Sequence, residues 1–380
     1  MSNFPLIIDF IKSQFQDEDL INLHRPVFIG NEKKYVLDTI DSTFVSSVGA
    51  YVDKFEMMLS SITHTKKAIA TVNGTSALQV ALRLVGVKQN DEVITQALTF
   101  IATVNAIIYN GAAPVFLDVD IETMGLSPMA VSLFLEEFGE LREDGCYNKK
   151  TNKKIAACMP MHTFGFPVHL DELMEICNKW NIPVVEDAAE SIGSEYKNKA
   201  TGSFGKVGVF SFNGNKIITS GGGGAIITND IQLGAKAKHL TTTAKVPHPY
   251  EYVHDDVGYN FRMPNINAAL ACAQLEQLDL FLNNKRELAL AYSHFFQSIG
   301  VEFRTELPGT KVNYWLMCLQ LENKKERDLF LKETNEKRVM TRPIWQLIFK
   351  SENYDDFQRD SQRNAIFLEE RIVNIPSSVR

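Results

Sequence analysis

Between residues 68 and 228 the chain repeats one pattern: a short, almost wholly apolar run, then a segment with helical spacing. The runs are AIAT (68–71), EVITQ (92–96), PVFLDV (114–119), IAACMPM (155–161), IPVVED (182–187), VGVFSF (207–212) and AIIT (225–228). Helix-like stretches such as 76–85, 102–109 and 171–180 separate most of them. Apolar strands alternating with helices predict an α/β fold, a mostly parallel sheet lying between helices. The last two runs stand too close together for a helical crossover, so part of the sheet is expected to be antiparallel.

After about residue 250 the rhythm changes. Residues 267–299 read as one or two long amphipathic helices, YWLMCLQLE (314–322) as a strand, and KKERDLFLKETNEKR (324–338) as a helix with a solvated, charged face. The expected organisation is an N-terminal helical arm (1–24), a large α/β domain (25–250) and a smaller α+β C-terminal domain (251–380). The stretch LREDGCYNKKTNKK (141–154) reads as an exposed excursion or hairpin.

The net charge of −7 gives no support to a nucleic-acid surface or to association with anionic membranes. Five cysteines without CxxC spacing read as reduced thiols rather than a disulfide or metal framework. The N-terminus carries Asp9 and Lys12 among its apolar residues and has no cleavage site, and no window approaches a membrane span. A cytoplasmic protein without a metal site is expected.

Three stretches carry chemistry. NGTSAL (73–78) follows the first strand and opens a helix; Gly74 permits close backbone approach, and Thr75 and Ser76 place hydroxyls beside unpaired helix amides, as a phosphate cradle or as a plain Asn-Gly turn with a cap. VVEDAAES (184–191) ends a strand on Glu186 and Asp187, with Glu190 one turn later; an acid there is placed to meet a ligand or simply to cap the next helix. SFNGNKIITSGGGG (211–224) sets Lys216 among Asn213, Gly214 and Asn215. A lysine there has room to form a Schiff base with a carbonyl cofactor, or is a surface lysine in a flexible loop. The glycines at 221–224 would allow a tight return without side chains filling the cavity.

In this order the stretches resemble the fold type I pyridoxal-phosphate aminotransferases. More narrowly, the chain resembles the DegT/DnrJ/EryC1/StrS family of sugar-nucleotide aminotransferases. The likeness runs through HRPVFIGNEKKYV, VSSVGAYVDKFE, NGTSALQVAL, TFIATVNAI, HTFGFPVHLDEL, VEDAAESIGS, TGSFGKVGVFSFNGNK and GYNFRMPNINAAL. It implies that Lys216 anchors pyridoxal phosphate covalently and shuttles a proton, and that Asp187 pairs with the cofactor's ring nitrogen. Phe100 would stack on the ring, Glu190 would bond near its ring oxygen, and Asn213 would contact the cofactor. Gly74, Thr75, Ser76 and Ser211 would hold the phosphate. Asn260 would reach the phosphate in a neighbouring subunit, supported by Arg262, so that a homodimer shares its sites.

Glu190 stands where other members carry His or Gln, and members with Glu there tend to make 4-amino sugars. FVSSVGAYVDKFE, SFNGNKIITSGGGG and TRPIWQL carry a narrower likeness to the bacillosamine and legionaminic acid branch. That likeness implies transfer from L-glutamate to the C4 ketone of a UDP-linked 4-keto-6-deoxy-N-acetylhexosamine for bacterial surface glycans. Ser47, Val48, His162, Arg262, Arg342 and Trp345 would be the substrate contacts. The alternatives are a 3- or 4-aminotransferase for a GDP- or dTDP-linked keto sugar of the perosamine type, and a non-catalytic cofactor- or sugar-binding regulator. A dehydratase branch replaces the lysine by histidine, which Lys216 opposes.

Overall fold

The apolar runs do form one layered sheet. In the computed structural model, which describes residues 3–15 and 19–380, the strands are β1 (Lys67–Thr71), β2 (Glu92–Gln96), β3 (Ala113–Leu117), β4 (Lys153–Met159), β5 (Val185–Asp187), β6 (Val207–Ser211) and β7 (Gly224–Thr228). Their order is β3-β2-β4-β5-β6-β7-β1, with β4 and β5 joined by the bridges Cys158 to Val184 and Met161 to Asp187. Every neighbouring pair from β3 to β6 is parallel, and β7 is antiparallel to both β6 and β1. β5 is shorter than its apolar run because Pro183 has no N–H to give the ladder; its carbonyl instead accepts from Cys158 N–H at 2.9 Å.

The helices α3 (Ala50–Thr63), α4 (Gly74–Leu84), α5 (Ile101–Tyr109), α6 (Pro128–Phe138), α7 (Leu170–Lys179) and α8 (Ile231–Thr241) surround or flank this sheet, and α1 (Phe4–Gln14) and α2 (Glu32–Asp41) precede them in the chain. Small apolar residues let α4 lie close to it: Ala77, Leu78, Val80, Ala81 and Leu82 are buried against Ile69, Val209 and Ile226. The excursion at 141–154 is only half exposed. Its strands Gly139–Arg142 and Gly145–Asn148 form a hairpin whose second strand pairs with Lys153 and Lys154. Cys146 joins the core, and Asn148 Nδ2 donates to Glu92 Oε2 at 2.8 Å.

Beyond the sheet, α9 (Asn265–Leu275) packs on α2 and α3, while α10 (Leu278–Ser298) leads into a smaller antiparallel sheet. That sheet orders β8 (Glu302–Phe303), β9 (Met317–Gln320), β11 (Ile372–Ile375) and β10 (Arg342–Pro343), covered by α11 (Lys324–Glu336). The expected N-terminal arm is in fact built into this domain. Phe4 meets Phe330 edge-on at 5.1 Å, Phe10 stacks on Phe295 at 3.9 Å, and Ile21 bridges Val339. An amphipathic helix that buries Phe4, Ile7, Ile8 and Ile11 cannot stay free in water. Residues 1–2 and 16–18 of that expected arm lie outside the described residues. Among the described residues, no helix is long and apolar enough to cross a membrane.

Candidate active site

β1, β5 and β6 end on the same edge of the sheet, and their carboxyl ends open into a cavity of about 650 Å³. This is where open α/β sheets bind ligands. Thr71, Gly224 and Ser211 sit side by side across β1, β7 and β6. That register brings the turn after β1 against the end of β6.

At that turn Asn73, rather than a hydroxyl residue, caps α4: its Oδ1 accepts from Ser76 N–H at 2.7 Å. Ser76 is thereby turned into the helix start and does not line the cavity, whereas Gly74, Thr75 and Ser211 do. A Cβ on Gly74 would stand 3.0 Å from Ser211 Cβ, so a side chain there would fill the cradle. The first amides of a helix have no helical partner and carry the positive end of its dipole, which suits a phosphate.

Asp187 ends β5 almost fully buried. Thr103 Oγ1 donates to its Oδ2 at 2.7 Å and Ala189 N–H to its Oδ1 at 3.1 Å. Burial pushes its pKa up, against those bonds and the Lys216 charge. Such a carboxylate gains from any cation placed beside it.

Lys216 Nζ donates to Glu190 Oε1 at 3.2 Å and lies 3.5 Å from the centre of the Trp315 ring. Phe164 N–H donates to the other Glu190 oxygen at 2.9 Å. Burial pushes the Glu190 carboxyl up to about 7, with Lys216 opposing it. Trp315 is pinned in turn. Its Nε1 donates to Asn215 O at 2.7 Å, its N–H donates to Asn313 Oδ1 at 2.9 Å, and its carbonyl accepts from Lys285 Nζ at 3.3 Å. Lys285 is wholly enclosed, and that burial drives its pKa well below the ordinary amine value. Phe100, at the start of α5, is 52% exposed and lines the cavity with Asn213, Arg342 and Trp345.

This donor set fits pyridoxal phosphate: an amine for its aldehyde, a glycine-spaced helix start with Thr75 and Ser211 for its phosphate, a buried carboxylate for its ring nitrogen, and a free aromatic face for its ring.

Other expected residues are not in the cavity. His162 is fully buried. Its Nδ1 accepts from Val168 N–H at 3.3 Å, which leaves Nε2 to donate to Glu186 Oε2 at 3.1 Å. Glu186 also accepts from the amides of Gly202, Phe204 and Gly205. His162 therefore tethers loops behind Asp187 and does not line the cavity where a substrate contact was expected. Ser47, Val48 and Arg262 line a second, open hollow of about 670 Å³ with Thr242, Lys245 and His248. Arg262 Nε donates to Asn260 Oδ1 at 2.9 Å. Asn265 holds the Ser47 loop there: its Nδ2 donates to Phe44 O at 2.6 Å, and its N–H donates to Ser46 O at 2.6 Å.

The glycine run makes room for protein, not for the cavity, which none of the four lines. A Cβ on Gly224 would strike the carbonyl carbon of Asn73 at 2.4 Å, and one on Gly223 would strike Ser220 Oγ and Met263 Cε. Gly221 has φ +76°, the left-handed region, and Gly222 borders open space.

Comparison with known proteins agrees over nearly the whole chain. Residues 28–380 match the DegT/DnrJ/EryC1/StrS aminotransferase family. The chain is 36% identical over 357 residues to the GDP-perosamine synthase of Escherichia coli O157:H7, covering 94% of this chain and 93% of that protein. It is 33% identical over 364 residues to the GDP-perosamine synthase of Vibrio cholerae, covering 94% of each. The crystal structure of the aminotransferase TlmJ from Streptoalloteichus hindustanus superposes with a TM-score of 0.85 at 24% identity, over 94% of this chain and 93% of that one, a likeness of fold alone.

Proposed function

The chain belongs to the DegT/DnrJ/EryC1/StrS aminotransferase family and is a pyridoxal-phosphate-dependent sugar aminotransferase, and from that premise we propose that it moves the amino group of L-glutamate to the C4 ketone of a GDP-linked keto sugar. The observation that carries aminotransfer is the enclosed amine of Lys216, held between Glu190 and Trp315 in the cavity that Asp187 floors. The GDP-linked sugar rests on the GDP-perosamine synthases to which the chain is similar, and it takes precedence over the UDP-linked acceptor that the finer motifs suggested.

Pyridoxal phosphate, when bound, supplies the electron sink and carries the amine between donor and acceptor. Lys216 would be its covalent anchor, Gly74, Thr75 and Ser211 would hold its phosphate, Asp187 would pair with its ring nitrogen and Phe100 would cover its ring face. Lys216 Nζ takes a proton from the amine-bearing carbon of the donor and returns one to the sugar carbon that gains the amine. Glu190, with its carboxyl near 7, holds that Nζ in place and shares its charge. Asp187 keeps a compensating negative charge in a dry pocket, where it acts more strongly than in water. The hollow bearing Ser47, Val48 and Arg262 completes the site of a neighbouring subunit in a homodimer. Five buried thiols suit a reducing cytoplasm.

A second reading, a UDP-linked 4-keto-6-deoxy-N-acetylhexosamine as acceptor, draws on FVSSVGAYVDKFE, SFNGNKIITSGGGG and TRPIWQL. The test offers the cofactor-loaded protein L-glutamate with either keto sugar and follows amino sugar and 2-oxoglutarate by mass spectrometry. Turnover of the GDP-linked sugar supports the first reading, and turnover of the UDP-linked sugar alone replaces it with the second. Formation of 2-oxoglutarate without amination of either sugar would overturn both acceptors.

A further inference from the structure

Asn313 lies shortly before β9, in a stretch that runs against the loop after β5, where Thr310 and Lys311 pair with Tyr196 and Glu195. It is fully buried, and an asparagine there is costly unless its amide is satisfied. Both ends of the amide are used. Nδ2 donates to Glu190 O at 2.8 Å and to Ile192 O at 2.9 Å, and Oδ1 accepts from Trp315 N–H at 2.9 Å.

Two of these partners converge on one atom. Glu190 follows β5 and Trp315 leads into β9, yet Glu190 Oε1 lies 3.2 Å from Lys216 Nζ and the Trp315 ring centre 3.5 Å from it. The Asn313 amide spans the two, one end on the backbone of the acid and the other on the backbone of the ring.

The chain makes special room for this amide. Gly165 has φ +97°, and a Cβ there would overlap Asn313 Oδ1. Phe164 before it also has a positive φ, +55°, which strains an aromatic residue. Its N–H holds the Glu190 carboxylate at 2.9 Å. Gly165 O accepts from Ser194 Oγ at 2.7 Å, and that hydroxyl accepts from Asn313 N–H at 3.0 Å. A closed ring of bonds therefore fixes Glu190 at its carboxylate and at its backbone, and Asn313 extends it to Trp315. A leucine of similar volume would fill the same space, so what the amide adds is register between the acid and the ring.

Resting on the role of Lys216 given above, we propose that Asn313 is a positioning residue for that lysine, setting Glu190 and Trp315 in register so that acid and ring face meet Nζ together. Asn313 does not line the cavity and acts only through those two side chains.

Two readouts separate positioning from plain support of the fold. The first is 2-oxoglutarate release from L-glutamate by the cofactor-loaded protein in a single turnover, which needs no sugar. Asn313→Leu should slow it about tenfold, the scale of buried hydrogen bonds that orient rather than react. In a Trp315→Leu background the same change should cost at most about threefold, because the ring it orients is gone. Equal losses in the two backgrounds would overturn the proposal.

The second readout needs no cofactor. Lys216 is acetylated with acetic anhydride well below the melting temperature of each protein, and its modification is read by peptide mass against the exposed Lys33. Asn313→Leu should raise the relative rate about fivefold, the scale of one lost contact. An unchanged rate would also overturn the proposal. Asn313→Asp keeps the outline and the acceptor for Trp315 N–H but turns an oxygen toward two carbonyls. It serves if the leucine variant does not fold, and Lys216 acetylation should rise in it as well. If Lys216→Ala still releases 2-oxoglutarate, the role of Lys216 itself has failed, and this inference with it.

Discussion

Lys216 Nζ stands over the face of Trp315, 3.5 Å from the ring centre, while the indole N–H of that ring donates to the carbonyl of Asn215, the residue just before the lysine. One side chain therefore grips both the backbone and the charge of the same loop. A desolvated ammonium over an indole is worth about 2 kcal/mol, and the indole hydrogen bond adds about 1 kcal/mol. Glu190 holds the ammonium as well. Phe212, Ile217 and Ile218 anchor the loop between β6 and β7 in the core, and the contacts with Trp315 and Glu190 then decide where the amine points.

Trp315→Phe is expected to keep a ring face but lose the bond to Asn215, and Trp315→Leu to lose both. Turnover should fall by up to about fivefold in the first and up to about 100-fold in the second, scaled from those energies. Steady-state kcat with saturating cofactor, beside a thermal melt, checks the order. Equal loss in both variants would mean that the ring face contributes nothing.

Lys216→Ala should lower turnover by on the order of 10³-fold, the range for removing a residue that is both nucleophile and proton carrier. Lys216→Arg keeps a cation opposite Glu190 but cannot form the covalent link, so it should be as inactive as the alanine variant. If the arginine variant retained a tenth of the activity, Lys216 would be acting only as a charge. Activity assays and the visible absorbance of the loaded protein read both outcomes.

Glu190 predicts a pH trend. Its folded-state carboxyl, near 7, lies above the ordinary value of 4.5. A raised pKa means that the folded protein holds the proton more tightly than the unfolded chain. The stability it contributes is complete below about pH 4.5 and is lost as the pH rises through 7. Glu190→Gln is neutral throughout, so its melting temperature relative to the parent should climb across that window and level off above it. Melts of the cofactor-free proteins at several pH values test this, and a difference that stays flat or declines would refute it.

The glycine run separates two roles that look alike in one dimension. Gly222→Ala enters open space without a left-handed φ and should change stability by no more than about 0.5 kcal/mol. Gly224→Ala drives a methyl into the backbone of Asn73 and should cost about 2 kcal/mol or more, loosening the start of α4 and with it the cofactor's hold. Denaturant titrations and cofactor affinities of the two variants give the comparison.

What was legible in the sequence was what one strand end can carry by itself. Lys216, Asp187 and Gly74 each lie at, or within four residues of, the end of an apolar run, and the alternation of strands and helices places such ends on one edge of a sheet. Trp315 was hidden because an aromatic residue leading into an apolar strand reads as core, and its partner Asn215 lies 100 residues away. His162 misled in the other direction. A loop histidine suggests a ligand contact, but Glu186 draws it inside, and no local pattern announces that bond. The N-terminal helix looked like an arm because its partners, Phe295 and Phe330, belong to helices near the other end of the chain.

The residues that one chain leaves outside its own cavity give the last prediction. Arg262 and Asn260 are bonded to each other, and Arg262 shares a hollow with Ser47 and Val48, away from the residues that line the Lys216 cavity. If that hollow serves a second copy of the chain, an intact site needs Lys216 from one subunit and Asn260 from the other. Lys216→Ala and Asn260→Ala should each be inactive alone. Unfolded together and refolded at equal amounts, they should recover about a quarter of the parent activity, because half of the dimers are mixed and each mixed dimer holds one intact site. Recovery near zero, with mixed dimers verified by mass, would mean that Asn260 acts within its own chain, and full activity of Asn260→Ala alone would mean that it has no part in the site.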